Sequence, residues 1–162
     1  MAATLTLRVY TGASAATQSA AVSGIDLISA DNATNSLANR QANPITVGTN
    51  SYEKWLKLAI DAAPANGVTN FKIWGDGAVM TSTTLNFTGG FVTGATPTTG
   101  ASTVANANFN TFTSGNKATW DSASYTATNS VTKYSVFQLV VDSTAGPGNW
   151  TQETISYSYD ET

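Results

Sequence analysis

The residues best placed to do chemistry are carboxylates, and the most suggestive is Asp76. It lies in the stretch WGDG (74–77), where Trp74 offers a ring on which a sugar unit stacks. Glycoside hydrolysis needs two such acids flanking the bond, and ten acidic residues leave a pair formally available. Against this stands a plainer reading, in which Asp-Gly supplies the positive φ angles of a tight hairpin turn, and that reading carries more weight. Hard-cation sites are the other chemistry that carboxylates and carbonyls allow. Two stretches offer them: ADNATN (30–35) and the terminal pair Asp160 and Glu161. Neither has the spacing of an EF-hand loop, so solvated loops are the simpler account.

Most other chemistry is excluded by absence. The chain has no histidine and no cysteine. Without them there is no Ser-His-Asp or Cys-His nucleophile, and no zinc site built on those ligands. Nothing fits a phosphate-cradling glycine loop. The sequence therefore predicts a protein that is not an enzyme and that uses no cofactor and no metal. Seven basic residues and a net charge of −3 argue against a nucleic-acid partner. A membrane span is not expected, because no run of about 18 apolar residues exists. The opening MAATLTLRVYTG lacks the pattern of a secretory signal.

The elements that would position these residues read as strands. Only 10% of the 162 residues are charged, against about 25% in an ordinary domain, while Thr, Ser, Asn and Gly abound. Thr is β-branched and suits strands; the others suit turns. TLTLRVY (4–10) alternates, with Leu5, Leu7 and Val9 on one face. A small-residue arm or loop follows to residue 24, then a short strand over 25–29 and a loop over 30–44. Residues 52–60 fit a helix through Tyr52, Trp55, Leu56, Ala59 and Ile60, or a strand through Leu56, Leu58 and Ile60. The strand is expected, because nine residues is short for a helix. A turn at APANG would pair it with VTNFKIWGDG as a β-hairpin whose charged side (Glu53, Lys57, Asp61) faces water. Further strands are expected at 82–87, 102–106, within VTKYSVFQLVV (131–141) and at 153–159. About eight strands with frequent turns predict a single all-β domain over 1–162, an antiparallel β-sandwich of jelly-roll or immunoglobulin-like type. Residues 88–116 form a loop-rich insertion.

Residues 77–116 contain no charged side chain. Protein interfaces are depleted in Lys, Glu and Asp at their cores, whereas solvated surfaces mix both signs. This span and the segment 11–24 are thus expected either to lie against other subunits or to be exposed loops that touch nothing. The residues expected to make partner contacts are Leu5, Leu7 and Tyr10 on the first strand, taken as an edge, Phe91, Phe109 and Phe112 in the charge-free span, and Trp120 and Trp150 beside loops. The four tryptophans (55, 74, 120 and 150) otherwise serve as core material or as a sugar-binding platform.

SYEKWLKLAIDAAPANGVTNFKIWGDG, together with the ending TISYSYDET, resembles small virion proteins of tailed bacteriophages. It is similar to capsid decoration (cement) proteins, including those of cyanophages. The likeness covers about a third of the chain and leaves 77–130 unmatched. It implies a β-sandwich that binds the outer capsid, as a homotrimer, and reinforces contacts between major capsid proteins. It also implies synthesis in the host cytoplasm and residence in the virion. The alternative is a carbohydrate- or receptor-binding module of a phage tail or surface, which would expose a pair of tryptophans.

Overall fold

A computed structural model describes residues 2–63, 66–77, 81–146 and 152–162. Among the described residues, ten strands form two antiparallel sheets, so the domain is an all-β sandwich. The strands are β1 (Thr4–Thr11), β2 (Thr17–Val22), β3 (Lys54–Ala62), β4 (Val68–Gly75), β5 (Thr83–Phe91), β6 (Ala107–Asn108), β7 (Ala118–Asp121), β8 (Ser130–Val131), β9 (Tyr134–Val141) and β10 (Ile155–Glu161). The large sheet runs β2-β1-β3-β9-β5-β6, with β8 also paired to β3. The small sheet runs β10-β4-β7. One six-residue helix, α1 (Leu37–Ala42), starts at Ser36, whose hydroxyl accepts from Asn39 N as an N-cap.

The alternation in the first strand is real. Leu5, Leu7 and Val9 stand opposite Ile60, Leu58 and Leu56 of β3 and face the core. From β9 come Phe137, Leu139 and Val141, and from β4 come Phe71 and Ile73. Phe87, Phe109 and Phe137 form the aromatic centre, with ring centroids 4.9 to 5.4 Å apart. The sandwich closes along one side where β5 meets β7. There Gly89 lies so near the Thr119 and Trp120 carbonyls that a Cβ would fall 2.7 Å from the latter. Only glycine fits that approach.

Several expectations are corrected. Residues 54–62 are a strand, as the leucine alternation required, but β3 and β4 do not pair. β3 and β4 belong to different sheets, so Leu58 and Ile73 line one core from two sheets rather than lying side by side. Nor is the Asp76 segment a hairpin turn, since β4 and β5 belong to different sheets. β1 is flanked by β2 and β3 and is not an edge; the edge strands include β2 and β10. Residues 25–29 and 102–106 are not strands. In the latter, the Ser102 hydroxyl takes the Val104 and Ala105 amides, a local turn that competes with extended pairing.

Candidate docking surface

The outer face of the large sheet explains the charge-free span. Tyr10, Trp55, Tyr134 and Val136 point away from the main core and form a second apolar cluster with Ala15 and Ala105. Tyr10 and Tyr134 pack edge to face at 5.2 Å, and Trp55 and Tyr134 at 5.4 Å. The segment after Phe91 folds back over this cluster, placing Val104 and Ala105 on it. A coil of Gly, Thr and Ala covers a sheet closely because its side chains are small.

A buried polar network fastens that cover. Glu53 N donates to Thr98 O at 3.0 Å. The Glu53 carboxylate accepts from Ser102 Oγ and, at 3.1 Å, from Trp55 Nε1. Gln138 Nε2 donates to Ser51 O, Thr98 O and Gly100 O, while Gln138 Oε1 accepts from Ser102 N at 2.8 Å. Glu53 and Gln138 are thereby hydrogen-bonded although almost wholly buried, as buried polar groups must be. The charged side of 53–61 therefore does not simply face water: Glu53 lies under the 98–102 segment. Lys57 Nζ sits 3.9 Å over the Tyr134 ring, a cation–π contact at the open margin of the cluster.

The fold also joins the two charge-free segments. Ser14 N donates to Thr96 Oγ1 at 3.0 Å, Gly94 packs on Ser14 O and Ala15, and Tyr134 Oη donates to Ala15 O at 3.1 Å. Residues 13–23 and 92–106, neither of which carries a charged side chain, thus meet at Ser14–Ala15 and Gly94–Thr96 to make one neutral surface, with Lys57 and Arg8 beside it. Much of it is exposed, including Ala13, Ala16, Ala20, Ala21 and Thr93; Val92 is 73% exposed. The segment 92–106 is accordingly not a loop that touches nothing. Its inner side is satisfied by its own sheet, and its outer side is open.

The residues expected at a contact are for the most part buried or partly buried. Phe109 and Trp120 are buried in the main core, at 0% and 1% exposure. Trp120 Nε1 is spent on Lys133 O. Leu5, Leu7 and Phe112 pack partly buried against the main core. Tyr10 is buried in the second cluster, with its hydroxyl on Gln18, and Phe91 rests against Trp55. Trp150 lies outside the described residues. These aromatics are the largest apolar surfaces in the chain, and the sandwich needs them inside. The exposed tryptophan pair of the carbohydrate-binding alternative is not found among the described residues, since Trp55 is buried and Trp74 is half-buried with Lys117 Nζ 4.3 Å over its ring.

The candidate metal and acid sites resolve in the same way. Ala30 O and Asn32 O accept from Lys54 Nζ at 2.9 and 2.8 Å, so the carbonyls of the ADNATN loop hold the chain's own ammonium. Burial pulls Lys54 down to about 8, with Asp31 and Asp26 resisting the shift. At the C-terminus, Asp160 accepts from Asn70 and Glu161 from Ala3 N. No group of three or more potential metal ligands occurs among the described residues. Asp76 accepts from Thr154 N, and the acid acting on it electrostatically is Glu153, whose two oxygens are shut off from solvent. That pair does not present two carboxylates to a substrate.

No known family model, no curated protein and no solved structure matches this chain. Its class rests on the fold itself: an all-β sandwich with a neutral face held over its larger sheet.

Proposed function

We propose that the chain is a non-catalytic structural protein of a phage virion. It docks on the outer capsid through its neutral surface and reinforces contacts between major capsid proteins. The observation that supports this reading most is the junction of residues 13–23 with 92–106 into one uncharged, exposed face. A solvent-facing surface of that kind forgoes the charges that keep domains apart in solution, whereas contact surfaces are depleted in them. The likeness of 51–77 and 154–162 to decoration proteins supplies the setting.

Docking of this kind acts through repetition. As a homotrimer, each copy makes a modest contact, and linked copies rebind at high effective concentration, gaining roughly 10²–10⁴-fold over a single site. A protein that binds only the assembled shell stabilises it by mass action. The test is to probe phage particles, purified from the source of the gene, with antibodies raised against the chain. Labelling on the head and co-sedimentation with it support the proposal; labelling restricted to the tail, or none, overturns it.

A further inference from the structure

Glu153 takes no part in the neutral surface. It sits just before β10, with both carboxyl oxygens buried and without a hydrogen-bond partner. Its Oε1 lies against Gly75, at the end of β4, so closely that a Cβ there would collide with it, and Phe109 packs on the same spot. One residue further along each segment, at Thr154 and Asp76, the two are clamped together. Asp76 N donates to Thr154 O at 3.1 Å, and Thr154 N donates to Asp76 Oδ2 at 2.9 Å. A carboxylate thus lies next to a second carboxylate, in a spot without a donor to neutralise either oxygen of Glu153.

We propose that Glu153 and Asp76 form a proton-operated latch on the C-terminal strand. With Glu153 protonated, residues 152–155 lie closed on the end of β4; ionisation beside Asp76 drives them off. The groups around it leave the latch to these two acids. Phe109 and its neighbours Asn110 and Thr111 carry no charge, and neither do residues 77–81 and 143–152. On β4, Lys72 Nζ is engaged with Thr119, and Lys117 lies over the Trp74 ring. On β10, burial pushes the Tyr157 hydroxyl up from its ordinary value, the Tyr159 hydroxyl is engaged with Ala3 O, and Asp160 and Glu161 lie at the strand's far end. Burial, reinforced by Asp76, raises Glu153 from 4.5 to about 7, so it holds its proton ~300-fold more tightly than an exposed glutamate. β10 is an edge strand, and its distal residues also hold the start of the chain through Glu161 to Ala3 N and Tyr159 to Ala3 O. Opening the latch therefore loosens the small sheet from its free edge.

The experiment is a pH titration of the full chain by NMR, with labelled glutamate, together with hydrogen-exchange protection factors at the Asp76 and Thr154 amides. The wild type should show a Glu153 midpoint near 7 and at least a tenfold loss of protection between pH 6 and 8. Glu153→Gln should keep its protection across that range, and Asp76→Asn, which retains an oxygen for Thr154 N, should lower the Glu153 midpoint. A wild-type midpoint near 4.5 would overturn the latch. So would pH-dependent loss of protection that persists in Glu153→Gln, or a midpoint unmoved by Asp76→Asn. Should Glu153→Gln not fold, the wild-type midpoint and its coincidence with the loss of protection decide the matter.

Discussion

The Glu53 carboxylate and the Ser102 hydroxyl, 49 residues apart, meet beneath the neutral surface and pin its cover to the large sheet. Because Glu53 is almost fully buried, the hydroxyl does more than add one hydrogen bond: it keeps a buried carboxylate oxygen from going unpaired. Ser102→Ala should cost about 1.5–3 kcal/mol in urea denaturation. It should also make residues 92–106 a preferred site of limited proteolysis, since the Val104 and Ala105 amides lose their acceptor as well. Unchanged stability and cleavage would mean the cover is held by its apolar contacts alone.

Lys54 predicts an unusual alkaline behaviour. Its folded value of about 8 lies below the ordinary 10.5. Between those two values the unfolded chain binds a proton that the folded chain has lost, so this group's contribution to stability rises with pH from about 8 upward. Measured by denaturation at pH 8 and 9.5, the wild type should gain about 1–2 kcal/mol from this source. Lys54→Met should lose that gain. A rise of the same size in both proteins would show that the slope has another origin.

Asp121 governs the acid side. Burial pushes its carboxyl up, but hydrogen bonds from Tyr125 Oη, Lys133 N and Ala123 N, with the Lys133 charge at 3.6 Å, more than reverse the shift and hold it below 3.8. An acid with a depressed folded value contributes stability above its unfolded value and loses it as pH falls through the folded one. Asp121→Asn should cost about 2–4 kcal/mol at neutral pH, because an amide turns a donor toward groups that are donors already. The loss of stability below pH 4 should be correspondingly shallower. Equal acid limbs in the two proteins would contradict this.

What the sequence made legible follows from locality. β1 and β3 were readable because Leu5, Leu7 and Val9, and Leu56, Leu58 and Ile60, alternate within a single strand. The partner of β3 was not, because a short Pro/Gly connection looks the same whether the next strand lies beside it or across the core. Phe71 and Ile73 alternate in either case, and only their packing against the opposite sheet decides. The charges misled for a related reason. Glu53 and Lys54 belong on a surface by type, and their burial depends on Ser102 and on the carbonyls of residues 30 and 32, which no pattern near them announces. The tryptophans beside loops drew attention, yet Trp120 lies inside because its indole N–H finds Lys133 O. The pairing of 11–24 with the charge-free span was visible in composition; their contact through Ser14 and Thr96 was not.

The neutral surface is the heart of the account, and charge insertion tests it most directly. Ala16→Glu and Val92→Glu place an acid on exposed positions of that face, and Thr119→Glu places one on an exposed position of the small sheet. Co-sedimentation of each purified protein with phage heads stripped of it should show binding reduced at least tenfold for the first two and unchanged for the third, with all three as stable as the wild type. Full binding by Ala16→Glu and Val92→Glu would contradict the claim that this face is where the protein docks.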